Sequence, residues 1–361
     1  MNISTFDRRR VLKLVAATGA AAAMPLPFVR RASSATPLKV GAYGGYFKQT
    51  FDAEVFPAFT KETGIEVQSV AEPTSETWLI QLQQAARANQ APADVSMIAQ
   101  AQRLKGAKSK LWAPLDESKI PNLKNLPPHF VHKYEDGALY GLGALAWYIT
   151  LVTNTNAFSE APDSWQVLWD PSKKDKLGLM ALPSASFLLE IAAATHFGGT
   201  DVLSDEEGIV KVLNKLAEVK PNVRLWYRDE GQFQQALETG EIPMGQYYHD
   251  VTGLAAANGK PVRSTFPKEG GALDSGDWVV SKASKRGEDA HVFIDYMLRP
   301  EVQARLARTL GTAPTVERSL TDLTDEEFAK VGSDTKPILP RYDVHVERGD
   351  WLSQKWSEII A

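Results

Sequence analysis

The chain has 361 residues, of which 43% are hydrophobic, 23% charged and 9% aromatic, with no cysteine and a formal charge of −4. That length suggests about two folded units, each able to bury a core. Zero Cys excludes disulfides, thiolate metal sites and cysteine nucleophiles; the acidic balance argues against a nucleic-acid footprint; and no apolar run reaches the ~18 residues of a membrane-spanning helix.

Asp7-Arg8-Arg9-Arg10-Val11-Leu12-Lys13 precedes an alanine-rich, weakly apolar stretch from Leu14 to about Ala23, followed by Pro25, Pro27, Arg30-Arg31 and Ser33-Ser34-Ala35. A basic start, a short apolar core and small residues at a cleavage point describe an export signal. The arginine pair at the start of the apolar core resembles a twin-arginine signal, with Val11 where that motif usually carries Phe. Residues 1–35 are therefore read as a cleaved leader, cut near Ala35, that sends the protein to the periplasm. Without them the chain keeps 34 basic and 43 acidic side chains, a net charge of −9.

Beyond the leader, Leu38–Tyr43 reads as a short buried strand that Gly44-Gly45 break. Phe47, Phe51, Val55 and Phe59 recur at helical spacing, interrupted by Pro57, and Gly64 stops the helix. Ile65–Val70 alternates as a strand. Ser75 opens a helix carrying Trp78, Leu79 and Leu82, and Asp94–Ile98 is a third strand. Alternating strands and helices predict a layered α/β domain with a largely parallel sheet, whose ligands sit at the carboxyl ends of the strands. That places Tyr43 to Tyr46 and the Ile98–Gln100 loop at a candidate site.

Pro114, Pro121, Pro127 and Pro128 mark a surface connection, and Tyr140–Asn154 is then almost continuously apolar, as in a buried strand. A second α/β segment follows: strands at Leu177–Leu182, Val223–Trp226 and Pro243–Tyr247, and helices at Ser184–Ala194, Ser204–Lys220 and Gln232–Glu238. Val262–Pro267 and Trp278–Ser281 are further strands, helices run from Glu288 to Leu298 and from Pro300 to Leu310, and Trp351–Ile360 is amphipathic. No single linker divides the chain. The Tyr140–Asn154 and Gly276–Ser281 runs are read as strands crossing between two lobes: 36–150 with about 279–325 as the first, about 151–278 as the second, and 326–361 packing across both.

Catalytic motifs are sparse. There is no phosphate-binding glycine loop and no Gly-x-Ser-x-Gly elbow. His129 and His132 have a spacing that could serve one metal, but no third ligand lies nearby, and they are read as surface histidines. An exported hydrolase would need an acid/base pair, for which Asp94, Asp250 and Asp274 are the available carboxylates. No cofactor and no metal are expected, and a binding protein is favoured over an enzyme.

Several stretches carry a family resemblance: Phe59–Val67 (FTKETGIEV), Leu115–Leu126 (LDESKIPNLKNL), Tyr140-Gly141-Leu142, Ser164–Trp169 (SWQVLW), Phe266–Gly271 (FPKEGG) and Phe293–Val302 (FIDYMLRPEV). Together, and in this order, they resemble the spermidine/putrescine-binding group of solute-binding proteins of ABC transporters. The resemblance implies a two-lobed α/β fold of the type II periplasmic-binding class, with two crossover strands at the hinge, closing on its ligand. It also implies a permease and an ATPase as partners, a small-molecule ligand and a monomer.

The ligand positions implied by the resemblance differ from those of polyamine binders. Tyr43 and Tyr46 match an aromatic-x-x-Tyr set after the first strand, and Tyr248 stands where the family has Trp. Acids expected after the Leu177–Leu182 strand are replaced by Pro183-Ser184-Ala185-Ser186-Phe187. Asp274 and Gly276 stand at a Trp and an Asp position, with Asp277 one further. Arg224 and Arg228, near a strand end that faces the cleft in the family, supply guanidinium groups suited to a carboxylate. With Asp250 or Asp274 for an ammonium and Tyr43, Tyr46, Trp226 and Tyr248 as cover, the expected ligand is a small zwitterion such as γ-aminobutyrate. The alternative is a polyamine, held if Asp250, Asp274 and Asp277 all line the cleft. The expected ligand set is Tyr43, Tyr46, Ser184, Phe187, Arg224, Trp226, Tyr248, Asp250 and Asp274.

Overall fold

A computed structural model describes residues 36–73 and 75–360; the side chains of Tyr46 and Ser75 are outside that description, as is the whole of the expected leader. Among the described residues, ten strands form one sheet: β1 Leu38–Tyr43, β2 Val67–Glu72, β3 Val95–Ala99, β4 Val131–Lys133, β5 Leu139–Asn154, β6 Leu177–Met180, β7 Val223–Tyr227, β8 Met244–Tyr248, β9 Val262–Thr265 and β10 Ala272–Val280. Their order is β2-β1-β3-β10-β5-β8-β6-β7, with β4 and β9 also pairing with β5. β1 is parallel to β2 and β3, and β6 is parallel to β7 and β8. Between these two parallel blocks lie β10 and β5, antiparallel to each other and to the strands they border.

The 16 residues of β5 are long enough for both blocks, since its first half pairs with β10 and β4 and its second half with β8 and β9. It is buried almost throughout, as its unbroken apolar composition predicts. Each block carries a core. One gathers Phe51, Phe59, Trp278 and Phe293; the other gathers Trp165, Leu188, Ile209 and Trp356. Trp278 meets Phe51 and Phe293 edge-on, at centroid distances of 6.1 and 5.1 Å, an arrangement that aromatic quadrupoles favour.

Several expected boundaries move, each for a local reason. Pro57 does not interrupt the first helix. α-Helical turns at Tyr46–Thr50 and Phe56–Thr63 flank a π-helical turn at Phe51–Val55, and Pro57 is the second residue past that turn, with the backbone helical through Val55 and Phe56. Gly64 ends that helix at φ 74°, its N–H donating to Thr60 O at 2.8 Å. The second strand lies two residues further on than its alternation suggests, which brings Glu72 level with Tyr43 in the parallel register. The expected Ser184–Ala194 helix is broken at Phe187, which holds a left-handed φ of 53° between the helices Pro183–Ser186 and Leu188–Phe197. β10 begins at Ala272, so Asp274 is a strand residue. A short helix, Tyr342–Glu347, precedes the carboxyl-terminal helix Gly349–Ile360.

Candidate functional site

Strand register assembles the site. Asp274 of β10 lies opposite Trp147 of β5, and Gly276 lies opposite Leu145. Ile149 of β5 lies opposite Tyr248 of β8. Opposed residues share a face, and so do residues two apart, so Gly276, Asp274, Trp147 and Tyr248 all project from one face where the two blocks meet. From β1, the Tyr43 phenol lies over Gly276: a Cβ at that glycine would stand 2.9 Å from Tyr43 Oη. Tyr43 also packs edge-on against Trp147 at 6.5 Å. The lack of a side chain at position 276 is what admits the phenol.

Asp274 is the centre of this group. Its carboxylate accepts from the Tyr342 hydroxyl, from the Ser275 N–H at 2.8 Å and from the Trp147 side chain. Tyr342 in turn meets Phe187 edge-on at 6.1 Å. Burial pushes the Asp274 carboxyl up to about 6, against the lowering effect of its three donors and with a further upward push from Asp277. Among the described residues it has no ion-pair partner. Burial, followed by the charges of Glu72, Asp274 and Asp277, holds the Tyr43 phenol well above the usual range. Tyr248 donates to Glu230 Oε1 at 3.0 Å, and its phenol is raised by burial and then by Glu230 and Asp274.

Among the described residues, Glu72 and Asp250 are two further carboxylates near these strands with no ion-pair partner. Glu72 ends β2 and folds back over Gly41, where a Cβ would overlap its Oε1. Burial raises its carboxyl to about 8 despite hydrogen bonds from Ser96, the Met97 backbone and Trp78, and Oε1 is buried without a partner. Asp250, in the first turn of the helix His249–Ala257, also has a buried, unpartnered Oδ1, and burial raises its carboxyl. Asp277 differs: fully buried, it pairs with Arg103 Nε at 2.7 Å and with His132 Nε2 at 3.1 Å. Arg103 also donates to the Tyr140 hydroxyl and to Gln100 Oε1, and Gln100 Nε2 reaches Ser275 Oγ at 2.5 Å. A cavity of about 290 Å³ is bordered by Gln100, Arg103, His132, Leu273, Ser275 and Tyr342.

Of the residues singled out from sequence, the structure brings together Tyr43, Phe187, Tyr248 and Asp274. Asp250 follows directly on β8, two residues after Tyr248. Tyr46 opens its helix, with its side chain outside the described residues. Trp226 packs against Trp356 at 6.1 Å, and Ser184 is exposed in its short helix. The arginines are not gathered there. Arg224 is exposed and lies 3.8 Å from Glu241, and Arg228 is also exposed. His132 is not the surface residue its sequence context suggests, because Asp277 draws it inward. The hydrolase carboxylates are not assembled either. Asp94 accepts from Lys39 N–H and Ser284 Oγ just before β3, whereas Gly276 beside Asp274 pairs with Ala99 at the far end of that strand. Five strand residues separate those ends by roughly 16 Å. Among the described residues no cluster of His, Asp and Glu has the grouping of a metal site.

Sequence reasoning missed Trp147, Tyr342, Glu72 and Glu230. Trp147 was hidden in an apolar run, although a register count from Asp274 would have found it. Glu72 follows from the two-residue shift of β2. Nothing near Tyr342 or Glu230 in the sequence points to the site, because tertiary packing alone brings them there.

Residues 54–331 match the family model of the bacterial extracellular solute-binding proteins. The spermidine/putrescine-binding periplasmic protein 1 of Haemophilus influenzae is 30% identical over 256 residues, 70% of this chain and 69% of that one. The gamma-aminobutyric acid-binding protein of Pseudomonas aeruginosa is 25% identical over 226 residues, 61% of each chain. A solved periplasmic binding protein of Agrobacterium tumefaciens, in its open unliganded conformation, superposes with a TM-score of 0.76 at 20% identity, covering 91% of this chain and 100% of that one.

Proposed function

The chain belongs to the bacterial extracellular solute-binding proteins, which bind solutes and are not enzymes, and from that premise we propose that it is the periplasmic capture component of an ABC importer for a small organic amine. The observation that carries the ligand class is Asp274: a half-buried carboxylate among Tyr43, Trp147, Tyr248 and Tyr342, with no cation paired to it among the described residues. An ammonium supplies the missing charge, and aromatic faces cover its methylenes and add cation–π attraction. Asp250, two residues past Tyr248, and Glu230, which accepts from the Tyr248 hydroxyl, offer further acceptors for a second ammonium. A diamine such as putrescine fits this charge pattern best.

A zwitterion such as γ-aminobutyrate is the second reading, favoured by the named specificity of the Pseudomonas relative. The guanidinium groups expected to hold its carboxylate, Arg224 and Arg228, are both exposed, Arg224 beside Glu241, so that end would lack the clamp. Capture proceeds by closure about the β5–β10 pair, with residues 36–150 and about 279–325 as one lobe, about 151–278 as the other and 326–361 across both. Export by the twin-arginine route, action as a monomer, and delivery to a permease with its ATPase complete the proposal. Calorimetry on ligand-stripped protein with putrescine, spermidine and γ-aminobutyrate tests it. Kd near ~1 μM for an amine, about 8 kcal/mol of binding, is expected; binding of γ-aminobutyrate alone would overturn the diamine assignment, and turnover of any ligand would overturn the class.

A further inference from the structure

Tyr342 meets Asp274 because something holds its helix in register. Glu190, on the helix Leu188–Phe197, is fully buried. Its Oε1 lies 2.8 Å from His345 Nε2 and accepts the Arg341 N–H at 2.9 Å. Arg341 immediately precedes Tyr342, and His345 lies one turn further along the same helix, its own N–H returning to Arg341 O at 3.1 Å. One carboxylate oxygen thus pins both ends of the turn that carries Tyr342. The Arg341 side chain adds bonds to Asp343 at 2.7 Å and to Thr200 O at 3.2 Å.

The electrostatics agree with a charged pair. Burial pushes the Glu190 carboxyl up, but His345, its hydrogen bond and the backbone N–H groups together hold it below the usual range. Burial pushes the His345 imidazole down, and Glu190, with Asp343, more than reverses this. Arg341, Asp343 and the Tyr342 phenol are the other titratable groups facing the pair, and Asp201 faces Arg341. A buried ion pair seldom stabilises a fold more than apolar residues of similar volume, and its best-attested use is to fix register. Here the register it fixes is that of the residue bonded to Asp274.

We propose that Glu190 and His345 are positioning residues of the ligand site, setting where Tyr342 meets Asp274 and, through that contact, the affinity for an amine; the affinity part rests on the amine reading above. The full mature protein is compared with Y342F, E190Q and the double variant by calorimetry with putrescine and by thermal unfolding. In the ligand-free proteins, carboxyl-carbon NMR follows the Asp274 titration. Y342F is expected to weaken putrescine about tenfold, as one charge-assisted hydrogen bond is lost. E190Q is expected to weaken it several-fold alone, yet less than twofold in the Y342F background. Both single variants move the Asp274 midpoint upward, because the Tyr342 donor is lost in Y342F and displaced in E190Q, and the double variant moves it no further than Y342F does.

A purely structural pair would lower the unfolding temperature while leaving Kd and the Asp274 midpoint at parental values, or would shift them equally in both backgrounds; either result overturns the proposal. If E190Q does not fold, H345Q, which keeps a donor at the Nε2 position, takes its place. If putrescine does not bind the parent protein, the amine reading falls, and the ligand-free Asp274 midpoint decides the positioning role alone.

Discussion

Tyr342 donates a hydrogen bond to Asp274 across 68 residues of chain, joining the carboxyl-terminal segment to the strand pair that links the two sheet blocks. The carboxylate has three donors and, among the described residues, no cation, so its remaining acceptor capacity and its charge are left for a ligand. Asp274→Asn keeps the shape and removes the charge. We expect it to weaken putrescine at least 100-fold by calorimetry, in line with the ~2–5 kcal/mol lost when one partner of a desolvated charged pair is removed. Binding at parental affinity would exclude Asp274 as the ammonium acceptor.

The same residue sets a pH dependence. An amine binds the ionised carboxylate, and burial has raised that carboxyl to about 6 in the free protein. Above pH 7 the group is charged before the ligand arrives, and affinity is flat. Below about pH 6 binding must first expel a proton, so putrescine affinity falls by up to tenfold per pH unit. Calorimetry between pH 4.5 and 8 checks this, and the D274N variant should lose the slope.

How far the site could be read in advance depended on the kind of signal each residue leaves. The order of strands and helices, the long apolar β5 and the glycine break after Tyr43 were legible, because hydrophobic periodicity and glycine breaks are local features. Asp274 was legible as a departure from a family position, not as a member of an aromatic cluster. Tyr342 was not legible at all: its role depends on Glu190, 152 positions away in sequence, and no periodicity encodes that contact. Arg224 is exposed in the structure, and a guanidinium near a strand end looks the same in sequence whether it turns inward or outward.

Arg224→Ala therefore separates the two ligand readings. Its side chain is exposed, and its long 3.8 Å contact with Glu241 is a surface pair of little worth. We expect putrescine affinity within twofold of the parent and an unfolding temperature within about 1 °C. A large loss of γ-aminobutyrate binding in this variant would reinstate the arginine as a carboxylate clamp.

Glu72 predicts a stability slope unrelated to ligand. Its carboxyl is raised by burial to about 8 in the folded protein, from an ordinary value of 4.5. The folded state therefore holds its proton more tightly than the unfolded chain does. This contribution is fully present below about pH 4.5 and is lost as pH rises through 8. Glu72→Gln removes the ionisation and keeps an amide for the Ser96, Trp78 and Met97 contacts. Relative to the parent, the variant should be close in stability at pH 4.5 and more stable at pH 9, by about 4 kcal/mol, as the shift from 4.5 to about 8 requires. Urea unfolding at the two pH values measures the difference, and equal effects at both would mean Glu72 does not titrate as its burial implies.

Arg103 and Asp277 test the framework beside the site. Both side chains are buried, and Asp277 depends on Arg103 at 2.7 Å and His132 at 3.1 Å for its compensation. Arg103→Met keeps the apolar stem without the guanidinium, leaves the carboxylate with the imidazole alone, and also strips the donors to Tyr140 and Gln100. Breaking such a pair on one side costs about 3–5 kcal/mol, whereas removing both charges costs much less. The R103M/D277N double variant should accordingly be more stable than R103M in urea unfolding, although it carries one more substitution. Simple additivity of the two single effects would show that the charges are not coupled and that Asp277 is satisfied by other means.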